Sequence, residues 1–508
     1  MSKRLLVVPA FLLALLVVFA VASAQAAPGD LDTSFGTGGK VVTDFGAGND
    51  YAAAVAIQPN GKIVAGGDAQ IGSTLGFAVA RYNANGSLDS SFGTGGKVTT
   101  GFGGSQGAWI DGIALQKDGK IVAAGQGRSG TTAAFGLARY NANGSLDTSF
   151  GSGGLVATTF GTGNTRVNGI ALQPDGKIVT AGFDKNATEF EFALARYNAD
   201  GSLDTSFGTG GGKVTTDFGS GIDVAWAVAV QPDGKIVAAG YAFATGHPYL
   251  IALARYNADG SLDTSFGSGG RVTTAISDRY DLAFAMTLQP DGKIVVVGET
   301  RGSTATKYDA AVVRYTPAGA LDTTFGSGGK VTTAYATDND GFEAVAVQLN
   351  GKIVAGGWTK QGTPPLYKVS LARYNPNGSL DTTFGVGGKV VTVWGGHDDY
   401  ITGIALQADG KIVGVGAADK STTFSDYEFA LARYQGDTCV VPKLKGRKLA
   451  GAKTLIKRAT CKVGKVKKRF SKKVKKGRVI SQKPAAGTKV ASATPVNLVA
   501  SKGPKRLR

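Results

Sequence analysis

The chain has 508 residues, a formal net charge of +18, and only two histidines and two cysteines. Residues 439–508 contain 23 lysines and arginines and no acidic residue, which leaves 32 basic against 37 acidic residues, a net charge of −5, in the first 438 residues. Both cysteines lie in the basic segment, whereas His247 and His397 lie outside it. A thiol nucleophile with a histidine partner, or a Cys/His metal site, is therefore excluded in that segment.

Residues 1–26 have the features of a secretory signal peptide. Lys3 and Arg4 precede an apolar run over residues 5–22, and Ala24-Gln25-Ala26 forms a small-x-small cleavage site. We therefore predict a protein that is secreted or associated with the cell envelope, without a membrane span once the signal is removed. The alternative is an uncleaved signal anchor, because the apolar run is long for a signal peptide, although Pro9 weakens it as a spanning helix.

A seven-residue word, Leu-Asp-[Ser/Thr]-[Ser/Thr]-Phe-Gly-x, recurs through residues 28–435. It begins at Leu31, Leu88, Leu146, Leu203, Leu262, Leu321 and Leu380, at intervals of 57 to 59 residues. Each repeat also contains an Arg-Tyr pair and a Gly-Lys-Ile-Val motif preceded by Asn or Asp. Asn-Gly or Asp-Gly between β-branched runs favours a tight hairpin. Each repeat is therefore predicted to hold four strands, A to D, which is typical of a β-propeller blade.

The composition of strand A favours a closed ring. Two and four residues before its Gln the side chain is Ala or Gly in every repeat, with Thr287 as the exception. Strands that converge on a shared axis have room for little else, so we predict an all-β, seven-bladed β-propeller of four-stranded blades rather than a β-solenoid or a sandwich array. The first D strand has no preceding strands, so residues 31–43 are predicted to pair with residues 429–434 and close the ring.

The repeat words and their spacing resemble the delta-60 repeat family, which comprises bacterial surface or secreted proteins with a propeller fold and no established activity. The resemblance covers residues 28–435. It implies the fold and assigns no chemistry.

Residues 440–503 resemble a PASTA domain, a small α/β module, joined by a hinge at residues 436–439 and followed by a basic tail at residues 504–508. The motifs that carry the resemblance are Val441-Pro442-x-Leu-x-Gly446, Val463-Gly464, Gly477-x-Val479-Ile480-Ser481-Gln482-x-Pro484-x-x-Gly487 and Val499-x-Ser501-x-Gly503. The family implies association with peptidoglycan, and the high charge favours attraction to anionic cell-wall polymers. In a secreted chain, Cys439 and Cys461 are predicted to form a disulfide.

Five repeats place an aspartate eight residues before the strand A Gln, near the expected mouth of the central channel. These residues are Asp50, Asp223, Asp281, Asp340 and Asp399. One interpretation is that each caps the turn that enters strand A. The other is a ring of carboxylates that binds a hard cation such as Ca²⁺, the one cofactor that the sequence suggests.

The loops from B to C and from D to A leave from one face and vary in length and content, which makes that face the predicted binding face. Its aromatic candidates for contact with a sugar or a protein partner are Phe183, Tyr241, His247, Tyr249, Trp358, Tyr367 and Trp394. Each of them alone could equally be an ordinary loop aromatic.

No catalytic residues are predicted. The Asp of the repeat word and the Arg of Arg-Tyr recur in all seven units and are interpreted as structural contacts, and the Lys after each hairpin Gly is interpreted as a solvated turn residue. The leading hypothesis is a secreted, monomeric, non-catalytic binding protein. A propeller hydrolase or lyase acting on polysaccharide is the alternative. Nucleic-acid binding is disfavoured because Phe470 is the only aromatic in the basic module.

Overall fold

The computed structural model of the protein describes residues 26–46, 48–103, 107–161, 163–186, 189–209, 211–219, 221–302, 307–335, 338–421 and 426–505. The predicted signal segment, apart from Ala26, lies outside these residues. Among the helices that are described, none is both long and apolar enough to cross a membrane.

Short antiparallel strands joined by tight turns make up the chain from residue 40 to residue 434. The strands are β1 (Lys40–Thr43), β2 (Tyr51–Ile57), β3 (Ile63–Ile71), β4 (Thr74–Tyr82), β5 (Lys97–Thr100), β6 (Trp109–Leu115), β7 (Ile121–Ser129), β8 (Thr132–Tyr140), β9 (Leu155–Thr158), β10 (Thr165–Leu172), β11 (Ile178–Lys185), β12 (Phe190–Tyr197), β13 (Lys213–Thr216), β14 (Val224–Val230), β15 (Ile236–Ala244), β16 (His247–Tyr256), β17 (Arg271–Thr274), β18 (Tyr280–Leu288), β19 (Ile294–Arg301), β20 (Asp309–Tyr315), β21 (Lys330–Thr333), β22 (Asp340–Val347), β23 (Ile353–Gln361), β24 (Leu366–Tyr374), β25 (Lys389–Thr392), β26 (Asp399–Leu406), β27 (Ile412–Asp419) and β28 (Tyr427–Tyr434).

These strands form seven four-stranded blades. Strands β2–β5 are strands A to D of blade 1, each following set of four forms the next blade, and β26–β28 are completed by β1 as blade 7. One parallel bridge between Tyr249 and Tyr280 links the sheets of blades 4 and 5. The predicted fold class is confirmed.

The N-terminal strand closes the ring as predicted. Strand β1 pairs antiparallel with β28, from Lys40 opposite Ala432 to Thr43 opposite Phe429. A further bridge joins Leu31 to Tyr434. The two ends of the repeat region are thereby held in one sheet, which leaves no blade incomplete.

Adjacent A strands approach one another closely, which explains their small side chains. A Cβ atom on Gly112 of blade 2 would lie 2.7 Å from the Ile170 side chain of blade 3, and one on Gly169 would lie 3.1 Å from the Ala227 backbone of blade 4. Larger residues at these positions would force the blades apart. The hydrophobic core therefore consists of layers between blades, each built from two neighbouring sheets.

The Asp of each repeat word is the centre of a repeated ion-pair network. In blade 1, Asp89 Oδ2 lies 2.6 Å from both Arg81 Nε and Lys62 Nζ. The guanidinium of Arg81 also lies over the Phe92 ring and donates to the main-chain oxygen of Ala142 in the next blade. The interpretation of Asp and Arg as structural contacts agrees with this geometry. The interpretation of the repeated Lys as a solvated turn residue is wrong, because its ammonium group reaches the same carboxylate.

The C-terminal module contains β29 (Thr438–Val440), α1 (Leu449–Arg458), β30 (Lys462–Arg469), β31 (Val479–Lys483), β32 (Lys489–Ala491) and β33 (Pro495–Ser501). Strand β33 lies between β30 and β31, and β29 pairs with β32. The helix buries Ala452 and Ile456 against this sheet. Cys439 and Cys461 form the predicted disulfide, with their Cα atoms 5.5 Å apart.

The segment predicted as a hinge is attached to the propeller through Asp437. Its carboxylate lies 2.9 Å from Lys352 Nζ and 3.0 Å from Arg373 Nη2, and it accepts a hydrogen bond from Asn350 Nδ2. The main-chain nitrogen of Ala491 also donates to Ala408 in the A-to-B turn of blade 7. The module thus contacts the end of the ring that carries the A-to-B turns.

Candidate functional site

The seven A strands enclose a central cavity of about 460 Å³. Residues from every A strand line it, so its wall is built from seven copies of one structural element. The volume lies within the range of ordinary small-molecule sites. The wall is nonetheless not sevenfold symmetric, and the asymmetry comes from one position in each strand.

That position is a β-bulge. In every blade, the pairing of strand A with strand B skips the residue that lies five positions before the Gln. A bulge leaves the extra residue unpaired and redirects its side chain. The skipped residues all line the cavity and are Ala53, Asp111, Asn168, Trp226, Phe284, Glu343 and Thr402. No two blades carry the same residue, so the bulges combine seven different side chains at one place.

Two of the bulged residues are acids, and the first of them is paired with an arginine. Arg166 Nε and Nη2 donate to Asp111 Oδ2 and Oδ1 at 3.1 and 2.6 Å, which is a bidentate contact. The Arg166 guanidinium also lies 5.1 Å from the centre of the Trp109 ring. Burial raises the pKa of Asp68, on strand B of blade 1, to about 7, and the nearby Asp111 carboxylate adds to the shift.

The second acid, Glu343, lies on the opposite side of the ring. Trp358 Nε1 donates to Glu343 Oε1 at 3.0 Å. Burial raises the pKa of Glu343 to about 7, and burial together with the Glu343 charge raises the pKa of Glu299 to about 7. The absence of a side chain at Gly341 leaves room for Trp358 and Glu299. A Cβ atom at this position would lie 2.9 Å from the Trp358 ring and 3.0 Å from Glu299 Oε2.

Aromatic rings surround the mouth of the cavity. Tyr241 and Tyr249 meet edge to face at 5.2 Å between ring centres. The Arg301 guanidinium lies 4.5 Å from the centres of both Tyr280 and Tyr308. A second group, Tyr51, Tyr400 and Tyr427, stacks across blades 7 and 1. The mouth therefore combines aromatic faces with arginines and acids.

Five of the predicted ligand-contacting residues are half-buried and lie on this rim or in the adjoining loops. Tyr241 and Tyr249 form one pair, and Trp358 and Tyr367 form another with ring centres 5.1 Å apart. Phe183 packs on Phe190 in blade 3. These placements agree with a binding face but do not by themselves test it.

The other two candidates have structural contacts. His247 Nε2 lies 3.0 Å from the main-chain oxygen of Ser277 and 3.4 Å from Asp281 Oδ2. Trp394 is only 5% exposed, packs in the core between blades 6 and 7, and donates from Nε1 to the Tyr434 hydroxyl at 3.2 Å. The prediction that Trp394 contacts a ligand on the surface is therefore corrected.

The five aspartates predicted near the channel mouth are each bonded to their own loop. Each carboxylate accepts a hydrogen bond from the main-chain nitrogen five residues earlier, as Asp50 does from Phe45 at 2.6 Å and Asp399 does from Trp394 at 2.7 Å. This geometry supports the turn-capping interpretation. Within the described ranges, the single group of three acids with ligand atoms close enough for a metal is Asp44, Asp50 and Glu428, so the five do not form one common cluster.

The sequence interpretation missed the bulged residues. The small residues two and four positions before the Gln report the crowding at the axis, but they give no information about the position five before the Gln. The signal that could have revealed it was variability, because this position differs in all seven repeats of a strand that otherwise repeats closely. A position that varies among units packed alike is free of the packing constraint.

The pKa shifts predict a stability maximum at mildly acidic pH. Burial opposes ionisation of Asp32, but Lys411, Ser34 and Arg433 outweigh it and lower its pKa to about 2. Such a group stabilises the fold above the pKa of the unfolded chain, and this stability is lost as the pH falls from about 4 towards 2. Glu299 and Glu343, whose pKa values are raised to about 7, have the opposite effect on stability. The folded state binds their protons at a higher pH than the unfolded chain does, so these groups stabilise the fold as the pH falls below 7.

We therefore expect the melting temperature to rise slightly from pH 7 to about pH 5 and to fall steeply below pH 4. Calorimetry across this range measures it. A steady fall from pH 7 to pH 5 would contradict the raised pKa values of Glu299 and Glu343.

Comparison with known families gives two matches. The domain of unknown function DUF5122 beta-propeller matches residues 58–92, 116–150, 173–207, 231–266, 289–325 and 348–384. The PASTA domain matches residues 440–502.

Similar solved structures include a catalytically inactive virginiamycin B lyase from Staphylococcus aureus, with 11% identity and a TM-score of 0.43 over 77% of this chain and 98% of that chain. Another is a protein of unknown function from Dyadobacter fermentans, with 12% identity and a TM-score of 0.42 over 78% of this chain and 98% of that chain. The extracellular region of the Ser/Thr kinase PrkC from Staphylococcus aureus has 22% identity and a TM-score of 0.14 over 18% of this chain and 35% of that chain.

The chain is thus a β-propeller protein with an appended α/β module. More specifically, it contains DUF5122 beta-propeller repeats and a C-terminal PASTA domain. The PASTA domain and its disulfide are consistent with an extracellular location.

Proposed function

We propose that the protein is a non-catalytic binding protein of the cell envelope, in which the channel mouth binds a saccharide and the PASTA domain attaches to peptidoglycan or anionic wall polymers. The observation that carries the proposal is the set of bulged residues, which differ in every blade and border a single cavity. A ring that served only as a spacer would not need seven different side chains there.

The chemistry of the mouth suits a sugar. Tyrosine and tryptophan rings provide flat apolar faces for the C–H side of a pyranose, and their polar atoms and the neighbouring acids accept or donate hydrogen bonds to hydroxyl groups. Arg301, held between Tyr280 and Tyr308, adds a positive charge for an acidic substituent. A carbohydrate with carboxylate or phosphate groups fits this combination.

The PASTA domain supplies the second attachment through charge. Residues 439–508, which include this domain and the basic tail, hold 23 lysines and arginines and no acidic residue, so the segment attracts anionic polymers strongly and loses that attraction as salt is added. The recognition of muropeptides that the family implies would act in addition to this attraction.

A polysaccharide hydrolase or lyase is the second candidate, and the channel acids are the observation that favours it. Glu299 and Glu343 have pKa values near 7, which suits proton transfer at neutral pH, and tyrosines lie nearby. We favour binding because Asp111 is held in a bidentate pair by Arg166 and Glu343 accepts a hydrogen bond from Trp358. Asp111 and Glu343, the two acids that line the cavity, are thus committed to structural contacts.

The test combines binding and turnover in the same samples. Wall polysaccharides are titrated into the protein by calorimetry, and chain cleavage is followed by chromatography. We expect saturable binding without cleavage, a loss of binding of at least about tenfold in Trp358→Ala, and normal binding in Phe470→Ala, which changes an aromatic of the PASTA domain. Cleavage that Glu343→Gln abolishes would establish the enzyme instead.

Attachment is tested separately by sedimentation with purified cell wall. The full chain is expected to sediment with the wall at low salt, and a chain without residues 439–508 is expected to stay in solution. Retention of the shortened chain would contradict the role of the PASTA domain.

A further inference from the structure

We propose that Asp44, Asp50 and Glu428 form a binding site for a hard divalent cation, Ca²⁺, at the seam where blade 1 meets blade 7. The site is separate from the channel and does not depend on the proposed function. Its place is the one seam of the ring that the two ends of the repeat region must close.

The fold brings the three acids together from distant parts of the chain. Residues 44–50 connect β1 to β2, and Glu428 lies on β28. Because Thr43 is opposite Phe429 in the antiparallel pair, the next residues outward, Asp44 and Glu428, face each other. One carboxylate oxygen from each of Asp44, Asp50 and Glu428 lies within 4.8 Å of the others. This spacing lets one ion contact all three.

Two of these acids are buried, and each has an oxygen without a hydrogen bond. Asp50 is 1% exposed and Glu428 is 7% exposed. Asp50 Oδ2 accepts from the Phe45 nitrogen at 2.6 Å, and Glu428 Oε1 accepts from Lys420 Nζ at 3.0 Å. Asp50 Oδ1 and Glu428 Oε2 have no partner among the described residues. Buried carboxylate oxygens are rarely left unpaired, since this costs free energy, and a cation would satisfy both.

The charges at the seam are incompletely balanced. Lys420 neutralises part of Glu428, but the nearby Lys97 donates to the main-chain oxygen of Asp44 and not to its carboxylate. Burial raises the pKa of Asp50 to about 6, and the Glu428 and Asp44 charges add to the shift. A divalent ion would remove this repulsion. All-oxygen ligands without His or Cys favour Ca²⁺, with water completing its shell, over a softer metal.

A second seam carries the same three residue types and provides a natural comparison. Between blades 3 and 4, Asp217, Asp223 and Glu191 occupy the equivalent positions. There both carboxylate oxygens of Asp223 accept hydrogen bonds. One accepts from the Phe218 nitrogen at 2.7 Å, and the other accepts from the Phe243 nitrogen at 3.2 Å. Glu191 accepts from Asn186 instead. The sequence triplet alone therefore does not make the site, and Glu191 is a matched control for Glu428.

The experiment uses the full chain after treatment with a chelator. Calorimetric titration with CaCl₂ is expected to show one site with a Kd of about 10⁻⁴ to 10⁻³ M, typical of extracellular calcium modules, and saturating Ca²⁺ is expected to raise the melting temperature. Terbium provides a second readout, because Tyr51 and Tyr427 are the chain neighbours of the ligands Asp50 and Glu428, and tyrosine rings beside a bound Tb³⁺ sensitise its luminescence.

Glu428→Gln and Asp44→Asn are each expected to weaken Ca²⁺ and Tb³⁺ binding at least about tenfold, while Glu191→Gln leaves both unchanged. Asp44 is exposed, so its substitution keeps the test valid if Glu428→Gln does not fold. Absence of saturable binding, equal effects of Glu191→Gln and Glu428→Gln, or tighter binding of Mg²⁺ than of Ca²⁺ would overturn the proposal.

Discussion

Deletion of residues 26–43 is expected to prevent the propeller from reaching a stable folded state. The deletion removes β1 and with it the outer strand of blade 7. It also removes Phe35, which is fully buried against blades 1 and 7, and loss of such a ring alone costs about 3 to 5 kcal/mol. Arg433 loses the Asp32 carboxylate, 2.8 Å from its Nε, and remains buried without it.

These losses together approach the total stability of an ordinary domain, about 5 to 15 kcal/mol. Circular dichroism and size-exclusion chromatography are expected to show loss of the cooperative melt and an expanded or aggregated chain. Deletion of residues 1–26 alone is the control and is expected to leave the melt unchanged. Recovery of the melt on adding a peptide of residues 27–46 would show that the missing strand is the cause. A deleted chain that melts like the control would contradict closure by β1.

The double substitution Cys439→Ser, Cys461→Ser is expected to unfold the PASTA domain selectively. The disulfide closes a loop across 22 residues, which stabilises by about 3 kcal/mol in the chain-entropy account. A domain of this size has a small core and little stability to spare. The loss therefore shifts much of the population of this domain to the unfolded state while the propeller, which holds neither cysteine, keeps its structure.

Limited digestion with trypsin measures this selectivity directly, because the domain is rich in cleavage sites. We expect rapid cleavage within residues 440–503 of the double variant, which leaves an intact propeller fragment, and slow cleavage of the same residues in the wild-type protein. The wild-type protein treated with a reductant should behave like the variant. Equal protection of the domain in all samples would show that its core is stable without the disulfide.

The architecture could be predicted from the sequence because the same motifs recur from repeat to repeat. The Asn-Gly or Asp-Gly turns, the small residues of strand A and the Leu-Asp word indicate the same turns and the same packing in each blade. The unpaired word at Leu31 then identified the closing strand. Local turn chemistry and spacing determine these features, so no knowledge of distant contacts was needed.

Features that depend on contacts between residues distant in sequence were harder to predict. The Lys of each hairpin and the Asp that it binds lie in different turns of the blade, as with Lys62 and Asp89, which are 27 residues apart, and nothing local to the hairpin indicates the pair. The prediction for Trp394 failed because the equivalent residues of the other repeats were not compared. These residues, such as Phe45 and Phe102, are aromatic or aliphatic in every repeat, and this pattern indicates a core position. The register shift at each bulge leaves no mark in composition, and only the variability of the position five before the Gln marks the bulged residues in the sequence.

The attachment through Asp437 determines how the two domains are oriented relative to each other. The carboxylate bonds to Arg373, which is fully buried, and the PASTA domain also touches the turn at Ala408. Both contacts lie at the opposite end of the A strands from the channel mouth. A protein bound to a surface through its basic domain would therefore hold the channel mouth on the side away from that surface. The distance of the mouth from the surface would be set by the height of the ring.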